Sequence, residues 1–333
     1  MIMLRCAIAL SAVVFIAGGA ANAIDKIPPA PVEWKVSKNF EGKDARTNLS
    51  GAACKTGKPP FESCLIVNDE EQYAQFFSIT GTTIKPGKVI RLRDKDSEGD
   101  PDGEGAAYDN GFFYVTGSHG RARNSTEKSS VPSYVVFRIP VDKATGKPAK
   151  GSDKKVVDVE ASTRLHDVIH DSADIGKFFN VLLADNGANI EGIAVKDGRM
   201  YLGFRGPSTD SNAFILSVDA AKVFTKKDPV GAKVAKVKLG PNAGIRDLAA
   251  VEGGVLILSG PVNDQAVVPS IFFWNDQSGD LKTLGELEIP EKLKADKAET
   301  LLILRDEKGK PYHVLIMFDG PANGGPTEYH VPR

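Results

Sequence analysis

The chain has 333 residues, 41% of them hydrophobic, and a formal net charge of -1. Its lysines are spread along the sequence, so no global field draws in nucleic acid or an acidic membrane, and neither is expected as a partner.

Residues 1–23 carry the three parts of a secretory signal peptide: Arg5, an apolar run from Cys6 to Ala17, and the small-x-small sequence Ala21-Asn-Ala23. The run is shorter than the roughly 20 apolar residues a membrane span needs. No later stretch is as apolar for as long, so the mature chain, read as one domain over residues 24–333, is expected to be periplasmic or secreted with no membrane span. Only Cys54 and Cys64 then remain, separated by a segment with Gly57, Pro59 and Pro60. In an exported chain such a pair is expected to close a turn as a disulfide; two free thiols are the alternative.

Beyond residue 48, short runs of Val, Ile, Phe and Tyr alternate with Gly, Pro, Asn and Asp, the pattern of an all-β chain. One phrase recurs as Ser50-Gly-Ala-Ala-Cys54, Glu104-Gly-Ala-Ala-Tyr108, Glu191-Gly-Ile-Ala-Val195, Arg246-Asp-Leu-Ala-Ala250 and Glu299-Thr-Leu-Leu-Ile303. Each copy is a polar residue opening a short apolar strand, followed by a turn or loop and two further strands. A fourth strand follows in four units: Val89–Leu92, Val156–Val159, Ala235–Leu239 and Leu281–Ile289. Five four-stranded repeats predict a five-bladed β-propeller; a six-bladed ring with one degenerate blade is the alternative. The fifth unit runs out of chain, and Val32–Val36 is expected to supply its outer strand, which would pair the two termini and remove a sheet edge.

Repeat starts are spaced by 54, 87, 55 and 53 residues, so the second gap holds an insertion. Within it Leu165, Val168, Ile169, Ile175, Phe178 and Phe179 follow helical spacing after Ser162 and Thr163, which predicts one or two short helices between blades two and three. His166 and His170 would share one face of such a helix. With no Glu after the first His, the zinc-protease pattern is missing and a solvated face is expected.

First strands line a propeller's channel, so Ser50, Glu104, Glu191, Arg246 and Glu299 should form a ring, with Asp247 beside it. Two readings follow. Arg246 can neutralise the carboxylates and tie blades together, since a buried charge needs a partner. Alternatively Glu104, Glu191 and Glu299 can supply oxygen ligands to a hard cation such as Ca²⁺, against which Arg246 competes. Loops after the second strands should form one rim, holding Asp69, Glu70, Ser118, His119, Arg121, Arg123, Arg205 and Asp319. There Arg121, Arg123, Arg205 and Arg246 are candidates to grip a small anion by bidentate hydrogen bonds. His119 is a candidate acid or base; pairing of the arginines with Asp69, Glu70 and Asp319 is the structural alternative. Phosphate-loop and dinucleotide fingerprints and the Gly-x-Ser-x-Gly elbow do not occur.

Several phrases, in order, resemble a family of exported bacterial propellers labelled only as a domain of unknown function. They are Ser50-Gly-Ala-Ala-Cys54, Gly103-Glu-Gly-Ala-Ala-Tyr108, Tyr114-Val-Thr-Gly-Ser-His-Gly-Arg-Ala-Arg123, Asn189-Ile-Glu-Gly-Ile-Ala194, Gly203-Phe-Arg-Gly-Pro207 and Gly244-Ile-Arg-Asp-Leu-Ala249. The resemblance runs from about residue 45 to residue 320 and implies the fold but no reaction. Separately, the Glu-Gly-Ile-Ala phrase is similar to one in phytase-like esterase propellers. Two functions are thereby expected: binding of a small anionic molecule or a partner protein at the channel mouth, or cation-assisted hydrolysis of phosphoesters or esters.

Overall fold

Successive side chains of a strand point to opposite faces, and here both faces of most strands are buried. Cys64 and Ile66 turn towards one neighbouring sheet, Leu65 and Val67 towards the other. This is why the strands read as continuous apolar runs and not as strict alternation. A computed structural model describes residues 24–94, 97, 99–121, 131–149 and 158–333. The proposed signal peptide, Arg123 and residues 156–157 lie outside the described residues.

Two short N-terminal strands, β1 (Lys26–Ile27) and β2 (Lys35–Val36), precede five antiparallel meanders. Blade one is β3 (Leu49–Cys54), β4 (Phe61–Asn68), β5 (Tyr73–Thr80) and β6 (Thr83–Arg91). Blade two is β7 (Gly103–Asp109), β8 (Phe112–Gly117), β9 (Val136–Pro140) and β10 (Glu160–Ser162). Blade three is β11 (Asn189–Lys196), β12 (Arg199–Gly206), β13 (Asn212–Asp219) and β14 (Lys233–Lys238). Blade four is β15 (Ala243–Val251), β16 (Gly254–Pro261), β17 (Ser270–Trp274) and β18 (Leu281–Leu287). Blade five has three strands, β19 (Lys297–Arg305), β20 (Tyr312–Asp319) and β21 (Thr327–Val331).

The five sheets make a five-bladed propeller, not a six-bladed one. Five apolar clusters lie between successive blades. The one joining blades five and one, built on Leu302, Leu315 and Met317 against Leu49, Ile66 and Phe77, closes the ring. Each such side chain contributes about 1.5–3 kcal/mol by burial. The insertion contains one helix, α1 (Leu165–His170), whose Leu165 and Ile169 pack into the cluster between blades two and three. In blade two the described outer strand is β10, which begins at Glu160, four residues after the start expected at Val156.

Ring closure differs from expectation. Val32–Val36 is not the fourth strand of blade five: Lys35 and Val36 pair in parallel with β6 of blade one, and Lys26 and Ile27 pair in parallel with β18 of blade four. Between them the segment crosses blade five with a single bridge, Pro29 to Tyr329, and an Ala30 N–H bonded to Glu328 O at 2.8 Å. Proline is the reason. Pro28, Pro29 and Pro31 have no N–H to give, so a ladder along β21 cannot form. The segment is a strap from blade four to blade one.

Candidate functional site at the channel mouth

All five inner strands carry a register irregularity at one place, between Leu49 and Gly51, Gly103 and Gly105, Ile190 and Gly192, Ile245 and Asp247, and Ala298 and Thr300. The residue skipped each time is the ring residue of that repeat. A bulge leaves its extra residue out of the ladder and re-aims its side chain. The repeat thus builds a ring of Ser50, Glu104, Glu191, Arg246 and Glu299, all under 10% exposed. The next residue is Gly51, Gly105 and Gly192 in the first three blades. A Cβ at Gly51 would stand 2.6 Å from the Gly105 Cα, and one at Gly192 2.8 Å from the Leu248 N, so these glycines let inner strands meet.

Charge is distributed unevenly around the ring. Arg246 donates from Nη1 to Glu191 Oε2 at 2.9 Å and from Nη2 to Glu299 Oε1 at 2.6 Å. Arg205, on β12, donates from Nη1 to the other Glu191 oxygen at 2.7 Å and from Nε to Val262 O at 2.7 Å. Gly260, beside Arg246 on β16, leaves room for the guanidinium stem, because a Cβ there would stand 2.9 Å from Arg246 Cγ. Asp247 accepts from its own strand at Leu248 N, 2.8 Å, and from blade five at Leu301 N, 2.7 Å. Burial pushes Glu191 up, but Arg205 and Arg246 outweigh it and hold this carboxyl below its ordinary range. Burial raises Glu299 to about 7 even with Arg246 opposing, and raises Asp247 well above the usual carboxylate range.

On the side of blades one and two, Ser50 Oγ and Asp69 Oδ1 are buried without a partner among the described residues. Glu104 makes no hydrogen bond or ion pair among the described residues. Burial, then the charges of Glu191, Asp102 and Asp69, push its carboxyl well up. Asp69 follows β4 on the rim; burial and then Asp102 raise it to about 8, and its Oδ1 is buried without a partner. Apart from Arg138 Nε, the buried side-chain polar atoms lacking a partner among the described residues belong to ring and rim: Ser50 Oγ, Asp69 Oδ1, His119 Nε2, Arg121 Nε, Asn189 Oδ1, Arg246 Nε and Thr300 Oγ1. Native proteins rarely leave such atoms unmatched away from a site that meets water or a ligand.

The remaining expected site residues are placed as follows. His119 is buried with a left-handed backbone, φ 50°, and its Nδ1 lies 3.0 Å from Gly117 O. Burial lowers it to about 4, so the imidazole is neutral at physiological pH. Ser118 Oγ accepts from Gly120 N at 3.1 Å and belongs to this turn. Arg121 forms a parallel backbone bridge with Leu182, and its Nε is buried without a partner among the described residues. Arg205 and Arg246 meet on Glu191, and Arg123 lies outside the described residues. Glu104, Glu191 and Glu299 do not bring their oxygens together as a ligand set; among the described residues only His313, Glu328 and His330 do so within 4.8 Å. His166 and His170 are partly exposed on α1, each bonded to its adjacent aspartate. Asp102 was not singled out from sequence. It stands two residues before Glu104 in a left-handed conformation, φ 52°, and the acidic spacing Asp102-Gly-Glu104 was the available signal.

A cavity of about 160 Å³ is lined by Ala52, Ala106, Ala194, Ala249 and Leu302 and reaches Lys55, Thr56 and Gly57. Those last three belong to the loop closed by the Cys54–Cys64 disulfide, whose cysteines sit directly opposite on β3 and β4. The disulfide is compatible with an oxidising compartment, and among the described residues no helix is long and apolar enough to cross a membrane.

Comparison with known families decides the kinship. A family model described as "Protein of unknown function (DUF3616)" matches residues 67–330. The chain belongs to this family. No curated protein matches the sequence. Among solved structures, this DUF3616 chain is similar to hydrazine synthase of Kuenenia stuttgartiensis at 12% identity and TM-score 0.39, covering 84% of this chain and 58% of that one. It thus spans less than two thirds of that protein. A glycosyl hydrolase from Bacteroides ovatus is similar at 14% identity and TM-score 0.41, with 87% and 84% covered. The arabinanase Arb43A of Bacillus subtilis is similar at 12% and 0.37, with 88% and 94% covered. Likeness this distant is no basis for an activity, and the DUF3616 match does not extend the resemblance to phytase-like propellers.

Proposed function

We propose that this exported protein, periplasmic or secreted, binds a small cationic ligand at the channel mouth, seated against Glu104 and Asp69. The observation that carries the reading is Glu104: a carboxyl 8% exposed, at a bulge that aims it into the ring, with no hydrogen-bond partner among the described residues. Asp69 and Asp102 lie near enough to raise it, while the neighbouring Glu191 and Glu299 already hold Arg205 and Arg246. Arg205 and Arg246 are held by Glu191 and Glu299, which supports a cation here rather than the small anion expected from sequence. The acidic oxygens are spread around the mouth and not gathered into a cage, which suits an organic ammonium or a hydrated Ca²⁺ better than a bare ion held by protein oxygens alone.

A cation favours the ionised carboxyls, so binding releases protons from Glu104 and Asp69 and strengthens as pH rises towards 8. A thermal-shift panel of CaCl₂, MgCl₂, diamines and quaternary ammonium salts, set against phosphate and citrate, tests this. A bound cation raises the melting temperature according to RT ln(1 + [L]/Kd), more at pH 8 than at pH 6. Stabilisation by the anions alone would overturn it. Hydrolysis is not part of the proposal, because the two carboxylates it would need beside Glu104 are bonded to arginines.

A further inference from the structure

A second cluster lies on the last blade, apart from the channel. His313 of β20 is directly opposite His330 of β21, and Glu328 precedes His330 by two residues on the same face. Glu328 Oε1 stands 3.1 Å from His313 Nδ1 and 3.1 Å from His330 Nε2, and the two imidazole centroids are 3.9 Å apart. Trp34, from the N-terminal strap, donates Nε1 to the other oxygen, Glu328 Oε2, at 3.0 Å. The side chains are 24%, 12% and 47% exposed for His313, Glu328 and His330, so the group is open to solvent on one side.

We propose that His313, Glu328 and His330 bind one divalent transition-metal ion of the Zn²⁺ type. Nitrogen and oxygen ligands about 2.0–2.2 Å from a tetrahedral ion stand about 3.3 Å from one another, close to the two nitrogen–oxygen separations of 3.1 Å here, and all three ligand atoms lie within 4.8 Å of one another. Two imidazoles with one carboxylate form a set that suits Zn²⁺, Ni²⁺ or Cu²⁺, whereas Ca²⁺ and Mg²⁺ take oxygen. Three protein ligands leave a fourth position for water or an outside ligand. Trp34 is the outer hydrogen-bond donor that fixes the carboxylate's orientation, as such partners do around bound metals. The position gives the ion a consequence for the fold: it would tie β20 to the edge strand β21 and, through Trp34, hold the strap that crosses blade five.

Calorimetric titration of untagged, chelator-treated protein with Zn²⁺ tests the proposal. One equivalent is expected, with a Kd of about 10 µM or tighter. Co²⁺ should give the visible absorption of a four-coordinate site. Cu²⁺ should quench Trp34, one of two tryptophans, and the quenching should vanish in Trp34→Phe. His313→Ala and Glu328→Gln should each weaken Zn²⁺ binding at least about tenfold. His330→Ala at the most exposed ligand serves the same purpose should His313→Ala fail to fold. Unchanged Zn²⁺ affinity in a variant carrying both His313→Ala and His330→Ala would place the ion elsewhere, the channel carboxylates included, and would overturn the proposal. No binding by 1 mM Zn²⁺, on the order of -4 kcal/mol, would overturn it as well.

Discussion

The two halves of the channel mouth use the same repeat position in opposite ways. On the side of blades three to five, Glu191, Arg246 and Glu299 form a continuous chain of ion pairs with Arg205, and Asp247 reaches across to the backbone of Leu301. On the side of blades one and two, Ser50, Glu104 and Asp69 hold polar groups without partners. The bulges are common to both halves, so the backbone does not make the difference. What differs is the supply of cations: both arginines come from blades three and four, and neither contacts a carboxylate of blades one or two. One half is therefore a fastening between blades, and the other is where we propose that a ligand binds.

The largest effect should come from breaking the fastening. Arg246→Met leaves Glu299 buried without its partner and is expected to cost about 3–5 kcal/mol, a fall of about 10 °C in melting temperature at the low end of the usual size scaling. Adding Glu299→Leu should recover much of that loss, since replacing both members of a buried pair is far less costly than removing one. Failure of the double variant to recover would show that the ring needs the charges themselves.

A smaller loss is expected at Asp247. Asp247→Ala strips the acceptor from two buried backbone N–H groups, at about 1–3 kcal/mol. Chemical denaturation read at pH 7 measures it, and a loss as large as that of Arg246→Met would move the main fastening from the ion pairs to this backbone contact.

The open half should announce itself in the pH dependence of stability. Asp69 ionises near 3.8 when free and near 8 in the fold, so the fold favours the protonated form. Its contribution to stability is full below about pH 4 and is lost as pH rises to about 8. Asp69→Asn should therefore flatten the decline between pH 5 and 8 and be more stable than the parent at pH 8. His119 acts in the opposite sense: neutral in the fold down to about 4, it contributes above its ordinary 6.5 and loses that contribution as pH falls from 6.5 to 4. Melting curves from pH 4 to 9 separate the two slopes.

Much of this was legible in sequence because a propeller repeats its instructions. The five phrases named the ring residues, their spacing located the insertion, and the Gly-Pro-rich segment between Cys54 and Cys64 marked the disulfide hairpin. What sequence did not reveal was partner choice. Spacing shows that Arg246 faces three carboxylates but not that it takes Glu191 and Glu299 and leaves Glu104, because that depends on side-chain reach and on Arg205 arriving from a second strand. Closure departs from expectation for a related reason: Val32–Val36 has strand composition, yet the three prolines ahead of it set where a ladder can begin. His313 and the pair Glu328 and His330 are fifteen residues or more apart, and only the register of β20 with β21 brings them together.

The division of the mouth into a fastened and a binding half is tested most directly by titrating the strongest cation of the panel into the parent and into Glu104→Gln, with a melting curve on each. The expected result is an unchanged or slightly higher melting temperature in Glu104→Gln, as burial of a neutral amide is less costly than burial of this carboxylate, together with cation binding at least about tenfold weaker, roughly 1.4 kcal/mol. Equal binding in both proteins, or a melting temperature that falls as far as in Arg246→Met, would contradict it.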